Sequence, residues 1–264
     1  MYCVKCTISY ILCWPILSHG AFRNTYFHFY ISVVYTLFSS SEEGKLYLNP
    51  EIITPWFSFF FISNLLYNLA WIFVWDREQT VGASILLFLI AKTGIISMAI
   101  LSRNIAQDGH QLREDKPKIY WLYVVLPMNG IGLYTTWTVI ASFVNFGTAL
   151  RYIAGFSQDK TALICLSVIL SIVVVYFILE NTILDNYIRL LLTPYLVVIW
   201  ASIGILSKKS GDENVADQTK NLVKAILGLA CVFLALRVII VTLRQLKRPL
   251  GRSGISQISD KPAF

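Results

Sequence analysis

Lys92 sits in the middle of the apolar run "ASILLFLIAKTGIISM", with no acidic residue beside it. A lysine side chain snorkels only a few ångströms, so this ammonium is expected to face the interior of a helix bundle. There it can be a counter-charge for an anionic ligand, such as a porphyrin carboxylate. It can equally pair with Glu180 or Asp185, or sit shallower if the run is shifted. Arg237, one to two turns from the end of its run, is expected to snorkel.

A second set of residues lies in "SNLLYNLAWIFVW", residues 63–75, where amides and indoles interrupt an apolar stretch. Phe57, Phe61, Asn64, Asn68, Trp71 and Trp75 follow one another in steps of four and three, which places them on one helix face. Side-chain amides facing lipid tails would leave donors and acceptors unpaired, so the stripe must face other helices or a cavity. Trp75, next to Asp76 and Arg77, fits an interfacial anchor. The stretch 120–152 repeats the pattern with Pro127, Gly130 or Ile131, Tyr134, Trp137, Ala141 and Asn145. Pro127 there frees a backbone carbonyl and permits a kink. Thr193, Leu196, Trp200 and Gly204 add a third face. Such stripes can bind a ligand, or they can simply pack and hydrogen-bond between helices.

Catalytic constellations do not emerge. Cys3 and Cys6 have C-x-x-C spacing without a second pair, and Cys13, Cys165 and Cys231 lie in apolar runs. His19, His28 and His110 are scattered, and neither a G-x-S-x-G elbow nor a phosphate-cradling glycine loop occurs. The chain reads as a non-enzyme. The cholesterol-type patterns Leu184, Tyr187, Arg189 and Lys118, Tyr120, Leu122 are of a kind that arises by chance at helix ends.

The elements that must position these residues follow from hydropathy. With 56% hydrophobic and 14% charged residues and a mean hydropathy of +0.63, the chain lies outside the soluble globular range. A spanning helix needs about 20 mostly apolar residues. Runs of that kind occur at 56–75, 81–101, 119–148, 161–180, 188–206 and 222–243. Two shorter runs, 6–22 and 25–40, bring the expectation to six secure and up to eight spans. The first could instead be a secretory signal, although no clean cleavage site follows it. Long unbroken runs exclude a barrel, so the fold class is all-α, a polytopic transmembrane helical bundle.

Residues 1–243 form one transmembrane domain, and 244–264 a basic, then polar, disordered tail. The net charge of +7 resides mostly between and after the apolar runs, leaving no surface for nucleic acid. With eight spans the termini share a side holding 12 of the 22 Lys and Arg residues, against 8 opposite and 2 inside spans. This favours cytoplasmic termini. No internal repeat of the transporter kind is visible.

"NLLYNLAWIFVWDREQTVGASILLFLIAKTGIISM" resembles the third-helix pattern of the TspO/MBR family of tryptophan-rich sensory and translocator proteins, an N-x-x-W segment before a short polar break and another apolar helix. "LPMNGIGLYTTWTVIASFVNFGTALRY" looks like that family's fourth helix, and "PYLVVIWASIGILSKK" is similar to a longer branch of tryptophan-rich sensory-like proteins. The resemblance implies a helical cavity for porphyrins or sterols, and carries over to Asn68, Trp71, Pro127, Trp137 and Asn145. The family's W-x-P-x-W loop has only "NPEIITPWFS" in a comparable place.

The expected ligand site thus comprises Asn64, Asn68, Trp71, Lys92, Pro127, Tyr134, Trp137, Asn145 and Trp200. No resident cofactor is expected beyond a porphyrin or sterol ligand. The expected partners are the lipid bilayer and a hydrophobic small molecule, and a homo-oligomer is compatible with the sequence. The alternative is a small solute transporter or channel, with Lys92 and the asparagines lining a polar path.

Overall fold

The computed structural model describes residues 40–41, 44–45, 52–209 and 217–247. The two upstream runs (apart from Ser40), the signal-peptide question, the Cys3/Cys6 pair and the tail from 248 lie outside the described residues. Two-residue strands β1 (Ser40–Ser41) and β2 (Gly44–Lys45) pair antiparallel. The described residues after Thr54 are helices joined by short links.

Helix α1 (Pro55–Asp76) begins where the sequence asks for it. The Thr54 hydroxyl accepts the Phe57 amide, and Pro55 occupies the first turn, where no N–H is needed. A tight link, with Glu78 at φ 60°, turns the chain into α2 (Thr80–Asp115). The pair therefore packs as a hairpin. Helix α3 (Pro117–Tyr123) runs through a widened π turn at Val124–Met128 into α4 (Asn129–Ala154). Gly155, at φ +64°, closes α4 in the left-handed conformation that suits glycine. Then follow α5 (Gln158–Asn181), the single turn α6 (Asp185–Ile188), α7 (Thr193–Lys209) and α8 (Asp217–Lys247).

Among the described residues, five helical segments are long and apolar enough to cross a bilayer, including the continuous stretch Pro117–Ala154. The run 188–206 differs from expectation: it is broken after α6, and its apolar helix Thr193–Ser207 falls in a shorter class. The break is physical. Thr193–Pro194 starts a new helix, because proline suits a first turn and not an interior. At about 1.5 Å per residue, the 17 residues of α7 rise about 26 Å against a hydrocarbon core of about 30 Å.

The π turn marks Pro127, which is buried and lacks the N–H of a regular ladder. Asn129 repairs the site. Its Nδ2 donates to Val124 O at 2.9 Å and Leu190 O at 3.0 Å, its Oδ1 accepts the Leu192 amide at 3.1 Å, and its backbone O accepts the Thr193 hydroxyl at 3.0 Å. One residue thus staples the kink in α4 to the start of α7. Gly132 permits this approach, since a Cβ there would lie 2.5 Å from Leu191 Cδ1.

Helix α4 is the hub, contacting α2, α5 and α7, while α8 packs on α5 and α7. One apolar cluster joins Phe57, Leu101, Tyr123, Met128 and Leu191, and a second joins Ile140, Ile169, Val198, Ile226 and Ala230. The outward faces are apolar too. On α1, Phe59, Leu66, Leu69 and Phe73 are exposed, a surface that lipid tails cover.

Candidate ligand-binding crevice

The amide and indole stripes settle into seams between helices. Asn64 is fully buried and its Nδ2 donates to Ile90 O at 2.6 Å and Thr93 Oγ1 at 2.9 Å, fastening α1 to α2. Asn68 Nδ2 donates to the Tyr134 hydroxyl at 2.8 Å, reaching α4. Asn145 Oδ1 accepts the Ser84 hydroxyl at 2.8 Å, fastening α4 to α2. Trp71 is half-buried, stacks on Trp75 with ring centroids 5.7 Å apart, and packs against the cluster containing Tyr134. Its buried Nε1 has no acceptor.

Trp137 and Trp200 meet elsewhere, at 5.3 Å, across the α4–α7 seam. Asn64, Asn68, Trp71, Tyr134 and Asn145 therefore gather along α1, α2 and α4. Trp137 with Trp200 occupies the neighbouring α4–α7 seam, and Pro127 sits in the kink. The two tryptophan groups do not share one pocket.

A cavity of about 550 Å³ lies where α2, α4, α5 and α7 meet. Its wall includes Phe88, Ala91, Lys92 and Ile95 from α2, Thr135, Val139 and Phe143 from α4, Ile172 and Tyr176 from α5, and Pro194, Tyr195 and Val198 from α7. Ile95 and Ile172 are 47% and 37% exposed. The cavity is thus a crevice opening sideways between α2 and α5, towards the hydrocarbon. Of the nine residues singled out by sequence, only Lys92 lines it.

Lys92 is exposed rather than turned into the bundle, so the expectation of an interior ammonium is corrected. Helix α2 is a continuous spanning helix whose packed face is held against α1 and α4 by Asn64 and Ser84, and Lys92 falls at the edge of that face, where its side chain is exposed. Among the described residues it makes neither an ion pair nor a hydrogen bond. Glu180 and Asp185, its expected acidic partners, are engaged by arginines instead.

Those arginines form the most charged place in the bundle. Arg237 is completely buried, not snorkelling. Its Nε lies 3.5 Å from Glu180 Oε2, and its Nη1 lies 3.3 Å from Asp185 Oδ1 and 2.9 Å from Asn181 Oδ1. Arg189 and Arg244 each approach Asp185 to 2.7 Å. The Tyr195 hydroxyl donates to Glu180 Oε1. Snorkelling fails because these acids, at the end of α5 and on α6, neutralise the guanidinium where it stands. Burial alone would raise the Asp185 carboxyl, but hydrogen bonds from Arg189 and Arg244, then their charges, hold it below the usual carboxylate range.

The sequence reading missed Asn129 and this cluster. The available signals were an asparagine two residues after a helix-interior proline, and charges of both signs at the edges of three apolar runs.

A family profile described as TSPO-like protein matches residues 25–243, most of the chain. The chain belongs to the TSPO-like family. No curated relative and no solved structure matches it. With five long apolar helices among the described residues, the TSPO-like chain is an integral, multi-pass membrane protein. The expected TspO/MBR resemblance is thus borne out at the level of the family.

Proposed function

We propose that this TSPO-like protein binds an apolar, roughly planar ligand of the porphyrin or sterol kind, which enters sideways from the bilayer for sensing or transport. The site is the crevice between α2, α4, α5 and α7. The observation that carries this reading is Lys92, midway along a spanning helix, whose side chain lines a mostly apolar crevice and has no ion pair among the described residues. Its presence at that depth is costly unless an anion meets it. An acidic group on the ligand supplies the counter-charge, while Phe88, Val139 and Phe143 supply apolar contact. A volume of about 550 Å³ suits a single ligand, since such sites span roughly 300–1,000 Å³.

Trp137 and Trp200 serve as fluorescence reporters on α4 and α7, two of the helices that build the crevice. Filling the crevice tests the reading. Val139→Phe, in protein reconstituted into lipid nanodiscs, is expected to weaken binding of a dicarboxylic porphyrin by about tenfold or more, read by quenching of tryptophan fluorescence. Unchanged affinity would place the ligand elsewhere.

A further inference from the structure

The crevice has two ends and an open side. Its long axis follows the helices, because α2 and α4 pack antiparallel: Ser84 meets Asn145 at one level, and further along a Cβ on Gly94 would lie 2.9 Å from Thr135 Oγ1. Phe88 and Met98 are the outermost lining residues of α2. At about 1.5 Å per residue they stand about 15 Å apart.

Both ends are made of ring carbon. At one, Phe88 meets Phe143 edge-on, with centroids 5.5 Å apart and planes at 87°. At the other stand the rings of Tyr176 and Tyr195, with centroids 5.9 Å apart. Their hydroxyls turn away from the crevice: Tyr195 donates to Glu180 Oε1, and the Tyr176 hydroxyl is buried beside the same carboxylate. On the wall between, the Thr136 and Ser142 hydroxyls donate to carbonyls of their own helix, at 2.8 and 2.7 Å. The charge stands on the open side. Lys92 is attached one turn from Phe88 and well short of Met98, exposed where Ile95 and Ile172 are also partly uncovered.

Resting on the crevice as the ligand site, we infer that its ligand is a flat polycyclic acid whose carboxylate projects from a long edge, level with Lys92, and whose two ends are bare hydrocarbon. A carboxylate at the tip of such a ligand has no comparable place. Seated lengthwise, it would bring an anion against aromatic rings with nothing to pair it. Turned to reach Lys92, it would push its hydrocarbon out through the mouth and leave the crevice part-filled. Lys92 is then a specificity-determining residue for where the acid is carried, as well as for its charge.

Two isomers of one rigid acid test this in nanodiscs: anthracene-9-carboxylate, with its acid in the middle of a long edge, and anthracene-2-carboxylate, with its acid at one end. Their shared composition keeps partitioning into lipid similar. The 9-isomer is expected to bind about tenfold more tightly than the 2-isomer, read by energy transfer from tryptophan and by competition with a dicarboxylic porphyrin. Lys92→Met should bring the 9-isomer down to the affinity of the 2-isomer. Equal affinities for the parent protein, or tighter binding of the 2-isomer, would overturn the inference and leave the crevice reading standing. So would a preference that survives Lys92→Met, or porphyrin binding with which neither isomer competes. Failure of the porphyrin and both isomers to bind would overturn both.

Discussion

The crevice and the ion cluster meet at Tyr195 and both draw on α5, yet their polar groups are treated in opposite ways. In the cluster, Asp185 meets three arginines and Arg237 reaches two acids, an amide and backbone carbonyls, all within 3.5 Å. At the crevice, Lys92 has no such partners among the described residues. A buried charge that is paired and hydrogen-bonded holds helices together. A charge left open on an apolar wall has no structural task, and it makes that wall the place to look for a ligand. Charge inside a membrane is therefore not by itself the mark of a site.

Breaking the cluster should have the largest effect on stability. Arg237→Met strands Glu180 in the bundle and removes one partner of Asp185, and loss of one member of a buried ion pair typically costs about 3–5 kcal/mol. Thermal unfolding in detergent is expected to show a loss of that order. A change below about 1 kcal/mol would mean that the cluster holds nothing together.

The pH dependence should be smaller and of fixed sign. The Asp185 carboxyl has a lower pKa folded than unfolded, so its contribution is fully present above the ordinary value of about 3.9. That contribution is lost as pH falls through the folded value. The unfolding temperature of the parent should therefore fall on acidification below about pH 4, and Asp185→Asn should flatten that slope. A slope that persists unchanged in the variant would assign it to another group.

The tryptophan seam should respond least. Trp137→Leu keeps apolar bulk but loses the 5.3 Å contact with Trp200, and aromatic pairs contribute about 0.5–1.5 kcal/mol beyond their burial. A stability loss of that size is expected, with porphyrin affinity within about twofold of the parent. A large loss of affinity with intact stability would move the site from the crevice to the seam.

The helices were legible because a run of apolar residues has few alternatives in a bilayer, and the inward stripe of Asn64, Asn68 and Trp71 because a period near 3.6 fixes a face. What that face met was not legible. The stripe of α1 and the Trp137 stripe of α4 look alike in sequence, but α4 is a hub with neighbours all round, so its tryptophan and its tyrosine point into different seams. The break before α7 was visible in Thr193–Pro194, although hydropathy averaged it away. Arg237 was misread because its partners lie more than 40 residues upstream, and only the packing of α8 on α5 brings them together. Lys92 was the clearest anomaly in the sequence, and its lack of an acidic partner depends on the arginines having already taken Glu180 and Asp185.

The account turns on Lys92, and one variant tests it most directly. Lys92→Met, compared with the parent in nanodiscs, should unfold at the same or a higher temperature, because an unpaired charge is removed from a spanning helix. It should lose about tenfold in affinity for a dicarboxylic porphyrin, while affinity for a neutral sterol stays the same. Equal affinity of parent and variant for the porphyrin would contradict the claim that Lys92 marks the ligand site.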